Sequence, residues 1–155
     1  MSVLVFADQH EGQFRKSAYE VVHYAGRLAA QLGTDAVALV AGTIDHDTVK
    51  TLGAYGAARV LHAPEAWLDQ FDSTLYQKLV MAAAGEADAE VGGFSHNFNG
   101  KAIAPMVSAA WKAGWVAGAT DLPDTTDGFL VPRGVFSGKA FCRVKILTEK
   151  KIISL

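Results

Sequence analysis

Val3-Leu4-Val5-Phe6 is an unbroken apolar run of the kind carried by strands buried on both faces, and it predicts a first parallel strand over residues 2–7. The polar loop Asp8-Gln9-His10-Glu11-Gly12-Gln13 follows it. Ala18, Val21, Val22, Ala25, Leu28, Ala29 and Leu32 then recur at helical spacing. Ser17 and Glu20 have the separation of a capping box at the start of that helix, and Gly33 suits a left-handed stop at its end. A second buried strand is expected over residues 35–41. A short helix from Asp47 to Tyr55 follows, with Asp45 or Asp47 as its cap. A third strand is expected over residues 58–62, closed by Pro64, and a helix from Asp72 to Gly85 with Leu75, Leu79, Val80 and Ala83 on one face. Residues 89–94 read as a fourth strand, and a helix runs from about Gly100 to Ala113 with Asn99 as its cap. Trp111 and Trp115, four apart, are read on one face of that helix. Four alternations of strand and helix predict an α/β fold of three layers, α/β/α, around a mostly parallel sheet.

After residue 128 the period changes. Ala140 to Ile146 alternates, with Cys142, Val144 and Ile146 on one face and Phe141, Arg143 and Lys145 on the other, which predicts a half-exposed antiparallel element. Lys151-Ile152-Ile153-Ser154-Leu155 is a strand-like apolar end and reads as a domain boundary.

Composition narrows the function classes. The 155 residues are 50% apolar and 19% charged, which suits one domain with a full core. The net charge of −2 and the scattered lysines and arginines offer no field for nucleic acid. No apolar run approaches the roughly 20 residues of a membrane span, and Met1 to Ala7 has no basic segment of the signal-peptide type. The lone Cys142 has no internal partner and fits a small core residue in a reducing compartment.

Most familiar catalytic and nucleotide-binding signatures are missing from the sequence. The loop after Ala7 has one glycine and two acids where a dinucleotide fold needs a glycine fingerprint, and those acids repel phosphate. There is no Walker loop, no Ser-Gly-Gly-x-Asp pyrophosphatase loop, no His-Glu-x-x-His and no Cys-x-x-Cys. Asp45-His46-Asp47 reads as a helix start and not as a metal clasp, and no nucleophile–base pairing is evident, so no catalytic residue and no metal are assigned. The one candidate site is the loop Ser95, His96, Asn99, Gly100 and Lys101, at the carboxyl end of the fourth strand where a helix opens. Free N–H groups and the helix dipole favour an anion there. An ordinary polar turn or a subunit contact is the other reading.

The order of these pieces resembles the amino-terminal domain of electron-transfer flavoprotein α subunits over nearly the whole chain. The resemblance lies in Ser2 to Asp8, in Gly12 to Glu20, and in Leu39-Val40-Ala41-Gly42. More specific are Asn99-Gly100-Lys101-Ala102-Ile103-Ala104-Pro105 with the alanine-rich helix after it, Pro132 to Ala140, and Lys150 to Leu155. Phe94 to Phe98 and Arg133-Gly134 depart from the family pattern. The resemblance implies a fold like that of the adenine-nucleotide α-hydrolases, with an empty nucleotide site. It implies a β-subunit partner and one FAD in the full-length heterodimer, held chiefly by a carboxyl-terminal domain beyond residues 1–155. It also implies electron transfer from acyl-CoA and related dehydrogenases toward the respiratory chain, in a bacterial cytoplasm. This stretch alone is then expected to bind no flavin and to expose docking surface, at Ser95 to Lys101 and Phe129 to Leu155, through which it could self-associate. A stand-alone adenine-nucleotide-binding domain of the stress-protein type is the alternative.

Overall fold

The computed structural model describes residues 1–155. Val3 to Phe6 have no solvent-facing side and form the first strand, β1 (Ser2–Phe6), in the interior of a six-stranded sheet. A short hairpin follows, β2 (Gln9–His10) and β3 (Gln13–Phe14), in the stretch read as a loop. Then come α1 (Lys16–Leu32), β4 (Asp35–Ala41), α2 (His46–Ala54), β5 (Arg59–Ala63) and a 3-10 turn, Ala66–Asp69. They are followed by α3 (Ser73–Glu86), β6 (Ala89–Phe94), α4 (Phe98–Trp111) and β7 (Gly114–Ala117). The hairpin β8 (Leu130–Val135) and β9 (Ala140–Lys145) precedes the last strand, β10 (Lys151–Ser154).

The sheet order is β5-β4-β1-β6-β10-β7, with every pairing parallel. Alternation along each strand divides the core in two. Val3, Val5, Ala36, Ala38, Val40 and Ile153 face α1, Leu52 of α2, and the tail residues Phe129, Val131 and Ile146. Leu4, Phe6, Val37, Leu39 and Ile152 face α3 and α4. This is the three-layer architecture expected from the sequence, with one substitution of parts. On the α1 side, over β10 and β7, the flanks and inner face of the β8–β9 hairpin stand where a further helix would otherwise lie. No helix is long and apolar enough to cross a membrane.

Several local expectations hold for identifiable reasons. Gly33 closes α1 in the left-handed conformation (φ +67°), and its N–H reaches back into the last turn. Asp45 caps α2 through the N–H groups of Asp47 and Thr48. Cys142, Val144 and Ile146 face inward, and Phe141, Arg143 and Lys145 are exposed.

Other expectations are corrected. Ser17 and Glu20 make no capping box. The helix already starts at Lys16, Glu20 pairs with Lys16 at 3.4 Å, and the Ser17 carbonyl accepts the Ser95 hydroxyl at 3.0 Å. Helix α4 starts at Phe98, and its cap is Asn97, not Asn99. Trp115 is not on that helix: it lies in β7, a strand too short to show a period, and its indole N–H donates to the Ser154 hydroxyl. The end of the chain is not an exposed edge strand. Ile152 and Ile153 are fully buried between β6 and β7, so the docking tail read as Phe129 to Leu155 loses its last strand.

Candidate functional site

The chain leaves β1 toward β4 and β5 on one side, then returns to build β6 on the other. The strand order therefore reverses between the carboxyl ends of β1 and β6, which is where open α/β sheets bind ligands. The sequence after β1 places Asp8 in that crevice, and the sequence after β6 places Ser95 to Lys101 opposite it. Asn97 Nδ2 donates to Asp8 at 3.2 Å, and Asn99 Nδ2 donates to both Asp8 oxygens, at 3.1 and 3.3 Å. Burial pushes the Asp8 carboxyl above its ordinary value, against the opposing pull of the Asn99 and Asn97 amides and of Arg15 and His10.

Of the five candidate residues, Ser95 is buried and ties the loop to α1. Asn99 belongs to the Asp8 clasp. Gly100 is buried because the helix start lies directly on the Ser95 carbonyl: a Cβ at this position would fall 1.8 Å from that oxygen. His96 and Lys101 are exposed. The His96 N–H donates to the Leu155 carbonyl at 2.6 Å. Burial and then the positive charges of Lys101 and Arg133 hold its imidazole below the ordinary value. Arg133, in the sequence only a departure from a family pattern, thus acts on His96 together with Lys101.

On the β1–β4 side lies a cleft of about 650 Å³, lined by Asp8, Glu11, Asp45 and Asp69 together with Gln9, Thr43, Tyr76 and Asn99. Its donors are already occupied. Asp69 accepts the Thr43 N–H at 2.6 Å, Asp45 caps α2, and Gln9 bridges the Gly12 N–H and the Ala41 carbonyl. Gly42, at φ +89°, leaves no room for a Cβ, which would meet Asp69 Oδ1 at 2.5 Å and Gln9 Nε2 at 2.7 Å. The Tyr76 hydroxyl donates to the Leu68 carbonyl, and burial, Asp8 and Asp69 push its pKa up to about 12. Four carboxylates, three of them holding the backbone and side-chain N–H groups, do not fit the pyrophosphate of a flavin or nicotinamide dinucleotide. No group of three or more His, Cys, Asp or Glu side chains is placed to hold a metal ion.

Comparison with known proteins places the chain in a family. Over 144 residues the chain is 28% identical to Protein FixB of Clostridium saccharobutylicum, covering 92% of this chain and 43% of the relative. It is 26% identical over 152 residues to the electron transfer flavoprotein subunit alpha of Bacillus subtilis, covering 98% and 46%. It is also 26% identical over 120 residues to the acryloyl-CoA reductase electron transfer subunit beta of Anaerotignum propionicum, covering 77% and 33%. The chain spans less than half the length of each of these relatives. The electron transfer flavoprotein domain matches residues 3–155, and the chain belongs to that family.

Proposed function

We propose that this chain is the amino-terminal domain of an electron transfer flavoprotein α subunit, and that it serves the electron carrier as a docking module and not as the flavin site. The family match across residues 3–155 carries this reading. The acidic cleft supports the second half, since carboxylates line the crevice where the phosphates of a dinucleotide would need positive or neutral donors. In the full protein, FAD is held chiefly by a carboxyl-terminal domain following residue 155, and a β subunit completes the heterodimer. The stand-alone nucleotide-binding alternative lacks support from the same cleft.

The docking surface combines the β6–α4 loop with the β8–β9 hairpin. Phe98 is 84% exposed, Phe136 80% and Phe141 72%, while the polar loop around them lacks the dense charge of a solvated face. A β subunit is the occupant, and in its absence a second copy of this chain takes the same face. The relative named as an electron transfer subunit of acryloyl-CoA reductase supports donors or acceptors that act on CoA thioesters, acyl-CoA dehydrogenases among them. The bacterial cytoplasm is the proposed location.

Two measurements test the reading. In a fluorescence titration the chain alone should bind no FAD stoichiometrically, and tight binding would overturn the docking role. In calorimetry a cognate β subunit should bind the chain. No interaction, with light scattering strictly monomeric up to millimolar concentration, would remove the docking argument.

A further inference from the structure

We propose that the β6–β10–β7 half of the carboxyl edge binds a phosphate-type oxyanion between His96, Lys101 and Arg133. Three separate segments bring these bases to one place. His96 follows β6 and is tied to Leu155 by its N–H. Ala119 follows β7, its N–H donates to the Ser154 carbonyl at 2.9 Å, and it bridges to Arg133 of β8. Arg133 and His96 thus flank the end of β10 from opposite sides. Lys101 stands in the first turn of α4, where its N–H bonds the Asn97 carbonyl at 2.9 Å.

None of the three side chains forms an ion pair. The charges of Lys101 and Arg133 both act on the His96 imidazole, with no carboxylate among the groups acting on it. Arg133 Nε is buried and has no hydrogen-bond partner, the one side-chain atom of the chain in that state. A desolvated guanidinium donor is costly to leave unmade, and an oxyanion seated beside it supplies the acceptor. A phosphate takes two parallel bonds from such a fork, and Lys101 adds a point charge that favours its second negative charge over a singly charged carboxylate. The cap of α4 is the neutral Asn97, so the positive end of that helix is not cancelled at its cap. The N–H groups of Phe98 and Asn99 have no partner within the helix. The proposal stands independently of the α-subunit reading, because it uses only this chain's own groups.

The test is a titration of the ¹⁵N-labelled chain with inorganic phosphate at constant ionic strength, with acetate as the control. Saturating shifts are expected at the amides of His96, Phe98, Ala119 and Leu155, with none at Gly12, Thr43 or Asp45. The His96 imidazole should titrate at higher pH once phosphate is bound. Lys101→Gln, at an exposed position, and Arg133→Gln should each weaken binding about tenfold, with Lys101→Gln decisive if the other variant folds poorly. Glycerol 3-phosphate in place of phosphate distinguishes an esterified from a free ligand. Non-saturating shifts, equal shifts with acetate, or indifference to Lys101→Gln would overturn the site.

Discussion

On the two sides of the crevice between β1 and β6, one backbone arrangement carries opposite chemistry. On the β1–β4 side Asp8, Asp45 and Asp69 accept the amide and backbone N–H groups at the strand and helix ends. On the β6–β10–β7 side the helix cap is neutral, and His96, Lys101 and Arg133 gather without an acid. Parallel α/β edges in general favour anions, because helix N-termini point at them. The comparison teaches that this preference can be spent internally. One half already contains its anions as side chains, and only the other keeps positive potential for a visitor. The halves also differ in stiffness: the β6–α4 turn is backbone against backbone at Gly100, whereas Gly42 across the crevice meets the ends of side chains.

The sharpest test of that difference substitutes the two glycines. Gly100→Ala puts a Cβ on the Ser95 carbonyl, which only backbone movement can relieve, so a loss of about 3 kcal/mol is expected in urea unfolding. Gly42→Ala should cost less, about 1–2 kcal/mol, from its left-handed φ and from swinging Asp69 and Gln9 aside. The reverse order would break the account of a rigid and a yielding half.

Next in size is the clasp across the crevice. Asp8→Ala strands the Asn97 and Asn99 amides and should cost about 2 kcal/mol by the same measurement. A loss below half of that would mean the amides find water instead. The clasp also has a pH signature. Burial raises the folded-state Asp8 pKa above 3.8, so the folded chain holds that proton more tightly than the unfolded one. The associated stabilisation is complete below pH 3.8 and fades as pH rises through the folded value. Wild-type stability measured relative to Asp8→Asn should therefore fall as pH rises over that window. A rising difference would show that the amides outweigh burial.

The smallest effect on stability is expected at Phe98, whose side chain is 84% exposed. Phe98→Ser should change unfolding free energy by less than about 0.5 kcal/mol, yet weaken β-subunit binding by at least tenfold in calorimetry. Unchanged affinity would move the docking surface away from the β6–α4 loop.

Local signals made much of this legible. The runs in β1, β4 and β5 and the alternation of β9 gave strands at the right places, and Ala89–Phe94 was bounded correctly although its two glycines weaken it. Long-range pairing was not legible. Nothing near Asp8 announces that Asn97 and Asn99, about ninety residues away, will hold it. Arg133 sits in a half-exposed hairpin, and only its bridge to Ala119 carries it to the carboxyl end of β7. For β10 a signal existed: Lys151 to Leu155 has an apolar core with no alternation, the mark of a strand covered on both faces. An exposed edge strand would have alternated.

The interior place of β10 has a consequence for the order in which the molecule can assemble. Strands β5, β4, β1 and β6 pair with one another using only the first 94 residues, so that part of the sheet can form while the rest of the chain is still being synthesised. Strand β7 has no sheet neighbour other than β10, and Trp115 waits for Ser154 to receive its indole N–H. Lys151 must also find Val91, sixty positions earlier in the chain, a loop closure whose entropy is lost before any contact rewards it. Folding is therefore expected in two stages, with the acidic half of the edge set early and the basic half completed only when residues 151–154 slot between β6 and β7.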